Sequence, residues 1–373
     1  MKIRSLSSMC SVVALATGSF ATDVAQAQVD CGDTVTTAVV MTADLVCGTD
    51  PAFTITSGGK VDMAGHQVFG CSGCTGVALT GEGAKLSNGS VVQTGTAVSL
   101  GGTGGHKLDG VTAFASDVGF GFTSGKNKLQ HCNSIDCTDG FLITSADKNA
   151  LIRCHASGAN VGFNISGNET KLTDSTAVLT NSGYIITGDA NKLSHNRSTN
   201  SNAGGITIVG DENKLASNAV TGAVGGGVSV TGNANKLTKM VALECGGDGF
   251  RVVGNDNLLS KSIAAASNDN GFEIAGDRNS LSGSSSTINL NNGIQLNAGA
   301  ENILKSNAAM RNGNYGVYLT SGSVNGSIAK LRALENFAVD LIDDNANCDG
   351  NAWKNNVFRI SEVDGVMDHQ CIE

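Results

Sequence analysis

Proline is nearly missing from this chain: 373 residues contain one, Pro51. Disordered, low-complexity chains that share this glycine content (50 residues) also carry much proline and few aliphatics. Here 40% of residues are hydrophobic, enough for a long, thin core. Aromatic residues are scarce at 4%, with a single tryptophan, Trp353, so stacking platforms for sugar rings are few. Charged residues make up only 15%, and the net charge is -9. That balance argues against a nucleic-acid partner, which needs clustered Lys and Arg to displace counterions. It also lowers the expectation of polyanion binding, although a local basic strip can override the mean. Beyond the N-terminus no run approaches the ~18 apolar residues that span a bilayer, so no membrane span is expected.

What the chain does contain is a repeat. Gly188-Asp189-Ala190-Asn191-Lys192-Leu193 returns as Gly210-Asp211-Glu212-Asn213-Lys214-Leu215 and again as Gly232-Asn233-Ala234-Asn235-Lys236-Leu237. Anchors at the leucine position run from Val61 through Leu86, Leu193 and Leu304 to Ile328, and from Leu86 to Leu304 they are 21 to 23 residues apart. No helical periodicity lies between copies, and the leucine-rich phrase is missing, so the period marks stacked turns of short strands. A second phrase, as in Gly140-Phe141-Leu142-Ile143 and Gly249-Phe250-Arg251-Val252, alternates apolar and variable residues, as a strand buried on one side does. Phe141, Phe163, Tyr184, Ile206, Val228, Phe250 and Phe272 are expected to stack inside. The asparagine two residues before each anchor is expected to take the left-handed bend and to bond its amide to the next turn. The lysines of the phrase (Lys107, Lys128, Lys171, Lys192, Lys214, Lys236) are expected to point outward as a solvated face that discourages aggregation, not as a binding strip. About 12 to 13 coils follow, spanning 61–341, between an N-terminal cap (28–60) and a C-terminal cap (342–373).

The first 27 residues read as a secretory signal. Lys2 and Arg4 precede an apolar stretch, and Ala25-Gln26-Ala27 is an A-x-A cleavage site. A secreted or periplasmic location is therefore expected. Eleven cysteines less Cys10 leave an even number for an oxidising compartment. Cys31–Cys47 and Cys348–Cys371 bracket the two ends, and Cys71–Cys74 is expected to staple a loop. Cys132 and Cys154 fall at one position of adjacent turns, ~4.8 Å apart, and are expected to pair. Cys137 and Cys245 are left over.

These features resemble the right-handed parallel β-helix superfamily of pectin-lyase-like proteins. Gly59-Lys60-Val61-Asp62-Met63-Ala64-Gly65-His66 resembles an early coil of its bacterial members, and Cys348-Asp349-Gly350-Asn351-Ala352-Trp353 resembles a closing coil. The resemblance implies an all-β solenoid with its active site on the outward face of one sheet. It does not fix the chemistry, because the fold hosts lyases, hydrolases, epimerases and binding proteins. The proline-containing arginine motif of pectate lyases is missing. Asp50-Pro51-Ala52-Phe53 lacks the second aspartate of the epimerase motif, and Asp343-Asp344 alone remains of the polygalacturonase set.

Two outward strips carry candidate chemistry. Counting along the Gly-Phe strands, the outward position is bland from Ala78 to Ser229, then reads Arg251, Glu273, Gln295, Tyr318 and Asp340, flanked by Asp248 and Asn270. Such a strip of ~19 Å could hold several sugar rings. Arg251 or Tyr318 could abstract a proton beside a uronate carboxylate, or Glu273 and Asp340 could act as an acid/base pair. The partner expected is a polysaccharide or cell-surface glycan, met by a monomer. The second strip, His131, Arg153, Asp174 and His195, with His155 and Arg197 nearby, could bind a divalent metal or share a proton. No cofactor is otherwise required. A non-catalytic surface or structural solenoid and a periplasmic metal-handling protein that uses the histidine strip are the alternatives.

Overall fold

The computed structural model describes residues 28–367 and 371–372; the expected signal peptide with Cys10 and its cleavage site lies outside the described residues. The chain winds as a parallel β-helix of about 15 turns. One column shows the register: Val39 pairs with Val61, Val61 with Leu86, and so on through Leu193 and Leu215 to Ile328 and Trp353. Every expected anchor lies in it. The column begins one turn before Val61 and ends one turn after Ile328, so regular stacking reaches into both expected caps and exceeds the 12 to 13 coils counted from the phrase.

Each turn has three short strands, as in Ser182–Thr187, Lys192–Ser194 and Arg197–Thr199. Strands of the first kind form one 17-stranded sheet. The other two kinds are joined through the unbroken strands Lys85–Val92 and Lys107–Phe114. Side chains alternate, and the inward ones fill a continuous core. Phe120, Phe141, Phe163 and Tyr184 stack with ring centroids 4.8 Å apart, the rung spacing itself, and Phe250 stacks on Phe272 in the same way. The Tyr184 hydroxyl, fully buried, donates to Ser175 O at 2.7 Å.

Each of the three bends holds one non-glycine residue at positive φ, here Ala190 (55°), His195 (57°) and Asn200 (54°). A non-glycine residue there costs roughly 1–2 kcal/mol. The residue that follows points inward and compensates. After the first bend, Asn191 N–H donates to Asn213 Oδ1, Asn213 to Asn235 and Asn235 to Asn257, each at 2.9 Å. The amides also donate back, as Asn213 Nδ2 does to Gly188 O at 3.0 Å. The asparagines thus bond to the next turn as expected. The left-handed residue is the one before each of them (Ala190, Glu212, Ala234), because an inward amide can satisfy two neighbouring turns only from the position after the bend. Glycine is required where turns approach most closely. Gly210 sits at φ 144°, and a Cβ there would lie 2.2 Å from Gly188 O. At Gly249 a Cβ would lie 2.8 Å from Gly271 O and 2.9 Å from Ala264 Cβ.

Disulfides join Cys31–Cys47, Cys71–Cys74 and Cys348–Cys371. The Cys132–Cys154 pairing is overturned: both are buried thiols, as are Cys137 and Cys245. In-register stacking keeps equivalent Cβ atoms near ~4.8 Å, while a disulfide wants about 3.5–4.5 Å. These four cysteines occupy the inward position after a bend, where other turns place serine, threonine or asparagine. Each thiol lies near the carbonyl two residues back, Cys132 at 3.3 Å from Gln130 O and Cys245 at 3.6 Å from Leu243 O. Ser175 and Ser262 make the same contact at 3.0 and 3.1 Å. At the C-terminal end Val366–Met367 folds back antiparallel on Ser361–Val363 and covers the last strand of the sheet.

Candidate functional site

The outward positions of the first sheet form one vertical column. Ala78 pairs with Ser99, and the register continues through Gly121, Leu142, Asn164, Ile185, Thr207 and Ser229 to Arg251, Glu273, Gln295 and Tyr318. Four of the five expected polar residues are therefore stacked neighbours. Asp340 is not. Tyr318 pairs with Ile342, a step of 24 residues (342 − 318), so a 22-residue count from Tyr318 falls short of the true rung. Asp340 is buried (1% exposed) and holds its own turn together: it accepts from Asn336 Nδ2 at 2.9 Å and from Arg359 N at 2.9 Å. It cannot pair with Glu273 as acid and base.

The centre of the strip is a carboxyl pair. Asp248 lies just before the strand Phe250–Val253, and its carboxyl group adjoins that of Glu273 on the next turn. Burial and the adjoining Glu273 carboxylate push the Asp248 carboxyl up to about 7. Asn270 tempers this by donating to Asp248 Oδ1 from both N and Nδ2, each at 3.1 Å. Arg251 Nε stands 3.6 Å from Glu273 Oε2 and is half exposed. The strip thus presents one cation to solvent beside two carboxyl groups, of which Asp248 is held up by its burial and by Glu273.

Sequence reasoning missed the groups that tie this centre to the next turns. Asn292 N–H continues the same column by donating to Asn270 Oδ1 at 3.2 Å, and Tyr315 N–H donates to Asn292 Oδ1 at 3.2 Å. Asn292 Nδ2 donates to Gln295 Oε1, Gln295 Nε2 to Asn297 Oδ1, and Asn297 Nδ2 to Glu273 Oε1, at 2.7, 2.8 and 2.7 Å. Glu273 and Gln295 are thereby fixed in orientation. The signal for Asn292 was present, since it stands one repeat after Asn270. Asn297 was hidden because it belongs to a bend. At the top, Tyr318 packs against Tyr315 with centroids 5.2 Å apart, and its hydroxyl donates to Asp344 Oδ2 at 2.5 Å. That bond pushes the Tyr318 phenol up to about 12, which suits a donor and not a base. Asp343, beside it in sequence, is buried and accepts from Trp353 Nε1 at 3.1 Å and Asn351 Nδ2 at 3.0 Å, closing the last turn.

The histidine strip does not form a metal centre. Among the described residues no group of three His, Cys, Asp or Glu side chains is placed to hold a metal ion. His131, Asp174 and His195 occupy one bend column, but His131 and Asp174 are two turns apart, about 10 Å by the rung spacing. Metal–ligand bonds are ~2 Å. Instead each imidazole turns to the preceding turn: His131 Nδ1 is 2.8 Å from Asp109 Oδ1, and His195 Nδ1 is 4.0 Å from Asp174 Oδ1. His155 faces Thr176 Oγ1 at 2.5 Å, and burial lowers its pKa.

A family model described as right handed beta helix region matches residues 226–366, the stretch that contains the polar strip. No curated protein matches the chain. Among solved structures, the A-module of the mannuronan C-5 epimerase AlgE4 from Azotobacter vinelandii is similar at 13% identity and a TM-score of 0.46, covering 83% of this chain and 87% of that one. The periplasmic alginate epimerase AlgG is similar at 12% identity and 0.41, covering 87% and 78%. The catalytic domain of a GH87 alpha-1,3-glucanase in complex with nigerose is similar at 11% and 0.46, covering 86% and 64%. These are likenesses of fold.

Proposed function

We propose that this chain binds an acidic polysaccharide along the strip from Asp248 to Tyr318 and acts on it by proton transfer beside a uronate carboxylate, as a lyase or epimerase does. The observation that carries this reading is the Asp248–Glu273 carboxyl pair set against the half-exposed Arg251. Arg251 is the one group of the strip able to neutralise a substrate carboxylate, which acidifies the neighbouring C5–H. With a pKa of about 7, Asp248 is both available as a base and able to return a proton at neutral pH. The C5 proton passes to the carboxylate, and the electron pair moves into the substrate carboxyl group under Arg251. Reprotonation of C5 by water on the opposite face inverts it, with the proton taken by Asp248 released to solvent, while transfer of that proton from Asp248 to the departing O4 gives an unsaturated sugar and a free hydroxyl.

The terminal disulfides favour an oxidising location, periplasmic or extracellular. The strip lies within one chain, as a monomer requires. The test uses the mature protein on a panel of polyuronates, reading unsaturated product by absorbance and C5–H exchange in D2O. Arg251→Gln and Asp248→Asn are each expected to lower turnover by about 10²-fold or more with the fold intact. A wild-type protein that neither turns over nor exchanges any polyuronate would overturn the reaction. Absence of retardation on polyuronate affinity gels would leave a rigid spacer.

A further inference from the structure

The lysines of the repeated phrase form a ladder. From Lys60 to Lys236 every turn but that of Ala150 places a lysine at the first position of the second strand, in direct register with the one below. Eight of the chain's 24 Lys and Arg residues thus occupy a single file about 38 Å long by the ~4.8 Å rung spacing. All are exposed except Lys85, which is half-buried. Among the described residues, no ladder lysine is in a salt bridge, whereas Lys148, one bend away, pairs with Glu169. Shallow grooves run beside the file, one lined by Lys85, Lys107 and Lys128 with Asp109, another by Lys171, Lys192 and Lys214 with Glu169 and Glu212. The file ends where Lys236 gives way to Leu258.

Like charges stacked in register repel, and nothing in the backbone demands lysine there, since Ala150, Leu258 and Ser280 fill the same position. A ligand with one negative charge per rung would relieve the repulsion along the whole file. We infer that this ladder binds a linear acidic polysaccharide laid parallel to the solenoid axis, one uronate carboxylate to each lysine. An extended pyranose chain advances by a length close to one rung per ring, which is the match the periodicity asks for. A nucleic acid fits less well: the second-strand positions beside the file, such as Ser87, Asp109 and Ser194, offer no aromatic platform for bases, and the remaining surface is acidic. The ladder lies on a different sheet from the Arg251 strip, and the inference stands apart from the reaction proposed there.

Binding of the mature protein to polygalacturonate, alginate, neutral dextran and a single-stranded oligonucleotide is measured by calorimetry at two salt concentrations. Polyuronate affinity is expected to fall steeply with salt, because each lysine contact releases counterions. Replacing Lys171, Lys192, Lys214 and Lys236 together by serine is expected to weaken binding about tenfold or more and to flatten the salt dependence. The thermal midpoint should stay equal or rise as the repulsion is removed. Ala150→Lys, which completes the file, is expected to strengthen binding. Arg251→Gln should lower turnover about 10²-fold while flattening the salt dependence by no more than the one contact it removes, and the four-lysine variant should flatten it several times more, so that failure of the ladder and failure of the strip are told apart. Unchanged affinity and salt slope in the four-lysine variant would overturn the inference, as would equal or tighter binding of the oligonucleotide.

Discussion

The first sheet carries two stretches built on one plan and finished differently. From Ala78 to Ser229 its outward column is uncharged; from Arg251 to Tyr318 it carries charge and is hydrogen-bonded from turn to turn. Beneath both the core is the same, with stacked rings at 4.8 Å in Phe141–Phe163 and in Phe250–Phe272. The winding constrains what points inward and leaves the outward side free. The second strand reverses the arrangement, with lysines from Lys60 to Lys236 and none at Leu258 or Ser280. Each end of the solenoid therefore carries its charge on a different wall.

If the two stretches share one core, equivalent deletions should cost the same. Phe163→Ala and Phe272→Ala are each expected to destabilise by about 3–5 kcal/mol in denaturant unfolding, since both remove a fully buried ring from one continuous apolar core. A large cost in one stretch alone would break the comparison.

The second test addresses the outward difference. The Asp248 carboxyl titrates at about 7 in the folded chain and near ~3.9 when unfolded. Between those values the folded state binds the extra proton, so wild-type stability falls as pH rises from about 4 to about 7. Asp248→Asn keeps an acceptor for Asn270 and offers a donor to Glu273. It is expected to raise the thermal midpoint at pH 8 by roughly 2 °C, a stabilisation of about 1 kcal/mol, with the advantage fading by about pH 4. A shift independent of pH would show that Asp248 is an ordinary surface carboxylate.

The smallest effect is expected where the stretches are alike. Cys154→Ser and Cys245→Ser, one in each half, should change stability by no more than about 1 kcal/mol, because serine already fills that position in other turns. Burial raises the Cys245 thiol to about 11 and the Cys132 thiol well above its ordinary value. Alkylation of the native protein should therefore leave these thiols unlabelled until it unfolds.

Much of this was legible in advance because the period is strict. The anchors, the stacked rings, the outward column to Tyr318 and the terminal disulfides follow from counting residues. Counting failed where the turn length changed, at Asp340, and where a bend hid a contact, at Asn297. It also failed at Cys132 and Cys154, where adjacency in the stack is a different matter from the geometry a disulfide needs.

The amino-acid order alone determined that the chain stacks turn on turn, since inward leucine, glycine and asparagine at a fixed spacing can be buried together only in a coil. What tertiary structure decided is which outward groups meet. Asp248 and Glu273 become partners, and eight lysines become a file, because winding brings residues about 22 apart to within one strand spacing, a proximity that depends on the length of every bend between them.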